Sequence, residues 1–139
     1  MKLSKALKHK NKLVKDISKA LAYVSNHNSQ SELSPRAYSV KQKLAEAQTK
    51  TQELVDLKTR IHLANAPVWH LIFRLSEVKS LISNLQGLPT REKAASLEYA
   101  AVTAEVTEVE KDELIKALEA ELESIQDKLD HHNHSTVLE

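Results

Sequence analysis

A single glycine, Gly87, serves a chain of 139 residues. Glycine supplies the backbone freedom that tight turns and close ligand approaches require, so its scarcity removes whole classes of protein. A P-loop and a dinucleotide-binding fingerprint each need several glycines at fixed spacing. A Gly-x-Ser-x-Gly nucleophile elbow needs two. Only three prolines accompany Gly87, too few corner residues for a β-sandwich or barrel. No cysteine is present, which excludes disulfides, thiol nucleophiles, iron–sulfur clusters and cysteine zinc sites. What remains is a chain of helices.

Apolar spacing says where they lie. Leu3, Leu7, Lys10, Val14, Ile17, Leu21 and Val24 alternate steps of four and three, the seam of a coiled coil interrupted by one lysine. A polar stretch to Pro35 breaks the pattern. A second seam follows through Val40, Leu44, Ala47, Thr51, Leu54, Lys58 and Ile61, with Leu57 and Ala64 beside it. Asn65 and Pro67 punctuate its end and allow a new helix to start at once. The third seam is Val68, Leu71, Leu75, Val78, Ile82 and Leu85, widened by Trp69, Ile72, Phe73 and Leu81. This most apolar stretch is expected at the centre of the core, with Gly87 in the left-handed position that ends many helices. Thr90 offers a cap for a short Ala-rich helix, although Val102, Ala104 and Val106 alternate as an extended segment would. Thr107 and Glu110 form a capping box, and Lys111, Ile115, Leu118, Leu122, Ile125 and Leu129 are the seam of the last helix.

The expected fold is therefore all-α, an elongated antiparallel helical bundle or coiled coil of four to five helices in one domain over residues 1–139. The helices fall at about 2–25, 38–65, 67–86, 91–99 and 108–132, and residues 100–106 are the candidate extended link. Each seam is narrow, so self-association, most simply as a dimer, is expected to complete the core.

The net charge of +1 conceals a gradient. Residues 1–50 carry 11 Lys and Arg against 3 Asp and Glu, a surplus of +8, and residues 101–139 carry 3 against 11, a deficit of −8. Opposite ends of this kind suit pairing within one chain or between two. Lys5, Lys8, Lys12, Lys15 and Lys19 share the outer face of the first helix and are the candidate binding residues. They fit three uses: a solvated face paired with the acidic last helix, a phosphate-binding stripe, or an anionic membrane contact. No aromatic residue on that face stacks on bases, and no Trp or Phe in that helix anchors in lipid. No apolar window approaches the ~18 residues of a membrane span, and the N-terminal stretch lacks a signal-peptide apolar region. A cytoplasmic protein without a membrane partner is expected.

Chemistry has few footholds. His131 and His134, three apart on a helix, are the weak candidates for a metal pair, whereas neighbouring His131 and His132 point apart. The plainer role for these histidines is at a frayed helix end, where the dipole favours them. His62 and His70 flank the break at Pro67 without an acid or nucleophile at a useful spacing. No catalytic residue, cofactor or metal is therefore expected.

The chain resembles a family of uncharacterised bacterial proteins described as septicolysin-like. The resemblance rests on Met1-Lys2-Leu3 with Ala6, Leu7, Leu13 and Ile17, on Arg60-Ile61 with Asn65, and on Leu129 to Asn133 with Thr136 and Leu138. This chain is shorter after Asn65 and lacks most of the family's aromatic, basic run before the last helix. The resemblance singles out Arg60, Asn65, Asn133 and Thr136 as polar positions, with helix capping as the plain role of both asparagines. It carries no established chemistry. The family label implies a pore-forming toxin, for which these residues supply neither a secretion signal nor an inserting segment. The leading expectation is a non-enzymatic interaction or assembly protein with itself or an unknown protein as partner. A nucleic-acid-associated protein comes second, and an enzyme or toxin third.

Overall fold

The computed structural model describes all residues, 1–139. It is all-α, with helices α1 (Leu3–His27), α2 (Val40–Ala64), α3 (Trp69–Gln86) and α4 (Glu108–Ser135), and one 3₁₀ turn, Ala66–Val68, leading into α3. The chain packs as two compact units, residues 1–67 with 132–139, and residues 68–131.

In the first unit α1 and α2 form an antiparallel hairpin. Leu3, Ala6 and Leu13 pack with Leu57 and Ile61. At the other end the Tyr23 hydroxyl donates to the Tyr38 carbonyl at 2.7 Å and accepts from the Tyr38 N–H at 2.9 Å. The Arg36 guanidinium donates to the carbonyls of His27 and Asn28 at 2.9 and 3.0 Å, satisfying groups that a helix end leaves open. Ser39 caps α2 by accepting from the Gln42 N–H.

Half of each expected seam in this hairpin is displaced by one residue. Leu3, Lys10, Ile17 and Val24 of α1 face inward as expected, but the second line is Ala6, Leu13 and Ala20 rather than Leu7, Val14 and Leu21. In α2, Val40, Ala47, Leu54 and Ile61 face inward, joined by Lys43, Lys50 and Leu57 in place of Leu44, Thr51 and Lys58. The cause is size. Interaxial distance is set by the side chains at the contact, and Ala6, Ala20 and Ala47, all buried, let these two backbones approach closely along their lengths. Leu7 is left half-buried and Leu21 exposed beside these alanines, and Val14 and Leu44 are carried to the same flank because each line shifts as a whole.

Residues 136–138 close the same unit. The Leu138 N–H donates to the Met1 carbonyl and the Leu3 N–H to the Thr136 carbonyl, both at 2.8 Å, an antiparallel bridge centred on Lys2 and Val137. This clasp carries Leu138 into the cluster of Leu3, Leu57 and Ile61. Leu3 has no exposed surface, and burial of such a side chain contributes about 1.5–3 kcal/mol.

In the second unit α3 and α4 are antiparallel. Val68 packs with Ile125 and Leu129, supported by Leu71, Ile72 and Leu75. Both expected seams lie on the buried or half-buried faces. Lys111, the odd residue in the α4 seam, donates to the carbonyls of Gln86 and Leu88, both at 3.2 Å, a favourable place for a cation beside a helix C-terminus. Thr107 accepts from the Glu110 N–H at 3.2 Å, the cap its spacing predicts.

Three expectations are corrected here. Gly87 caps α3 with φ −85 and ψ −2, so the helix ends without a left-handed residue. Trp69 and Phe73 stack on each other at 5.6 Å and Phe73 is 63% exposed, so the aromatics lie towards the surface and not at a core centre. Residues 91–99 form no helix. A helix this short is unstable without an apolar face to bury, and the Thr90 hydroxyl that would have capped it donates instead to the Glu108 carboxylate. Lys93 and Val102 exchange backbone hydrogen bonds of 2.9 and 2.8 Å, making Val102 the extended point of an exposed loop.

Candidate functional site

The hairpin of the first unit has two unlike flanks. One is charged. Here Asp16 and Tyr23 of α1 meet Lys43, Glu46 and Lys50 of α2 around a cleft of about 280 Å³, with Lys19, Ala20 and Tyr38 completing its wall. Lys50 Nζ lies 3.3 Å from Asp16 Oδ2 and 3.0 Å from Glu46 Oε1. Lys12 pairs with Asp16 at 2.8 Å and Lys43 with Glu46 at 3.4 Å. Lys43 also stands over the Tyr38 ring, 4.6 Å from its centroid. The Lys12 hydrogen bond, helped by Lys50, holds the Asp16 carboxyl below its ordinary range. Hydrogen bonds from Lys50 and Lys43 do the same for Glu46, and the Glu46 bond raises Lys50. Each charge in this network faces an opposite one, so its evident work is to fix the hairpin's register. Of these residues only Lys12 and Lys19 stand out in the sequence. The signal for the others was there: Asp16, Tyr23 and Glu46 fall on one side of the true seam, but that side is identifiable only once the seam is correctly placed.

Lys5, Lys8, Lys12, Lys15 and Lys19 lie on the exposed outer face of α1. Lys12 alone among them is in an ion pair. The opposite flank of the hairpin is apolar. Antiparallel packing sets Leu21 opposite Leu44 there, with Val14 one heptad along.

The polar positions singled out by the family resemblance converge in part on the clasp. Arg60 Nε donates to the Glu139 carbonyl at 2.9 Å. Arg60, Leu63, Ala64, Thr136, Val137 and Glu139 line a cleft of about 290 Å³. The Thr136 carbonyl accepts from Leu3. Asn65 is the buried polar residue of the chain and the C-cap of α2. Asn133 is half-buried in the last turns of α4. His132, which the sequence placed with its neighbours at a frayed helix end, is the bridge. Its Nε2 donates to the Ala64 carbonyl at 3.1 Å, and its Nδ1 accepts from the Thr136 hydroxyl at 3.2 Å; a carbonyl can only accept, which fixes this tautomer. His131 and His134 are exposed on α4, and no group of three or more His, Asp and Glu gathers to hold a metal ion.

In the second unit Arg74 binds Glu121 through two hydrogen bonds, 2.7 and 3.1 Å, which raises the arginine and lowers the carboxyl from their ordinary values. One heptad away by register, Leu81 of α3 and Leu114 of α4 occupy the same flank, both exposed. No helix is long and apolar enough to cross a membrane. Comparison with protein-family models, curated proteins and solved structures finds no match to this chain.

Proposed function

We propose that the protein is a non-catalytic helical assembly protein that associates with itself through helix faces of coiled-coil type, aided by its oppositely charged ends. The observation that supports this most directly is the pair of apolar flanks. Each helical pair buries one seam and leaves a second row of leucine and valine in water, Val14, Leu21 and Leu44 in one and Leu81 and Leu114 in the other. An amphipathic helix with a wide apolar face gains by covering all of it. The resemblance to the septicolysin-like family enters as a further proposal, in which Arg60, Asn65 and Thr136 serve the clasp rather than a reaction. Light scattering at micromolar concentration tests the reading: a dimer or larger mass is expected, and a monomer overturns it.

A second reading, association with nucleic acid, is favoured by Lys5, Lys8, Lys15 and Lys19, which are exposed and make no ion pair within the chain. Neutralising phosphates with such a row gives steeply salt-dependent binding. A shift of generic DNA or RNA at low salt, lost on reversing these lysines, is its expected signature, and no shift removes it.

A further inference from the structure

The two apolar flanks differ in their frames. On the first unit, Val14 (46% exposed), Leu21 (43%) and Leu44 (41%) lie on one flank; Lys41, three residues before Leu44, borders it on α2, and Lys8 and Lys15 follow beyond Asn11 and Ser18 on the outer face of α1, all exposed. No acidic residue occupies the neighbouring helix positions on that side. On the second unit, Leu114 (48% exposed) and Ala117 line a shallow groove of about 350 Å³ together with Glu110 and Glu113, and Leu81 (45%) lies across from Leu114 in the register that the Arg74–Glu121 pair sets. Glu77, one turn before Leu81, extends this acidic border. Arg74, the cation next along the flank, is held by Glu121. Both patches stay exposed in the single chain.

We infer that the lysine-framed patch Val14–Leu21–Leu44 of one copy receives the glutamate-framed patch Leu81–Leu114–Ala117 of a second copy. This deepens the assembly reading and rests on it. A second copy fits because one chain supplies both halves of a complementary pair. Apolar burial supplies the attraction, while the charged borders set orientation and exclude like-with-like pairing of patches. Two reciprocal contacts close a symmetric dimer, and a single repeated contact extends as an open chain.

Charge exchange provides the test. One variant carries Lys8→Glu, Lys15→Glu and Lys41→Glu, and the other Glu77→Lys, Glu110→Lys and Glu113→Lys. All six positions are exposed, and circular dichroism verifies that helicity is kept. Each variant alone meets like charge at the proposed contact, so its self-association is expected to weaken at least tenfold by sedimentation. Mixed in equal amounts, the two variants restore opposite charges at both contacts, and the wild-type mass is expected to return. A nucleic-acid role for the lysines predicts no such rescue. A wild-type chain that associates but is indifferent to both sets, or a mixture that fails to recover, overturns the assignment of the faces and leaves self-association standing. A monomeric wild type overturns both.

Discussion

Asp16 shows how a surface carboxylate in this protein comes to report on pH. Lys12 and Lys50 favour its ionised form, as Lys43 and Lys50 do for Glu46 and Arg74 does for Glu121. A carboxyl with a lowered pKa in the folded chain binds protons more weakly there than when unfolded. Its contribution to stability is complete above the unfolded pKa, near 4, and is lost as pH falls through the folded value. Lys50, shifted upward, contributes fully below its unfolded pKa, near 10.4, and loses that contribution as pH rises through the folded one. The melting temperature is therefore expected to drop below about pH 4. In the double variant Asp16→Asn, Glu46→Gln that acid drop should be shallower, which melts followed by circular dichroism at several pH values will show. Solvent and salt screen such exposed pairs, so the variant should lose little stability at neutral pH.

For single elements the decisive property is how closely two helices can approach. Ala20→Leu puts a large side chain into the tightest seam and is expected to cost about 1–3 kcal/mol. Leu21→Ala, one residue along, removes a side chain half-exposed in the single chain and, at a concentration too low for self-association, should cost less than about 1 kcal/mol. Urea unfolding compares them, and the reverse order would contradict the α1–α2 register. The same property separates the legible from the illegible in the sequence. In α3 and α4 leucine, isoleucine and valine occupy both lines of the seam, so hydrophobicity alone identifies the buried face. In α1 and α2 two frames one residue apart fit the heptad. Hydrophobicity prefers Leu7, Val14 and Leu21, but packing prefers Ala6 and Ala20, and that preference exists only with Ala47 opposite. The charged cleft was hidden for the same reason. Residues 91–99 show the converse, local helix propensity with no surface to bury. The clasp joins segments at the two ends of the numbering, and no local pattern announces it.

Across the whole molecule the least protected segment is the exposed loop after α3. Residues 91–103 are all exposed, and the Lys93–Val102 bridge is their cross-link. Such segments are preferred sites of nicking. Limited trypsin digestion is expected to cut first after Arg91. The other long loop is protected by its own arginine, since the Arg36 guanidinium is tied to His27 and Asn28. Mass spectrometry of early fragments decides the order, and a first cut after Arg36 would contradict it. The clasp, finally, bears on the order in which the molecule is made. Synthesis runs from the N-terminus, and domains tend to fold as they emerge. Residues 68–131, the whole second unit, are present before Leu138 exists. The first unit, begun earlier, holds Leu3, Leu57 and Ile61 without their last neighbour until that residue arrives. The half of the protein that leaves the ribosome first is thus the half completed last.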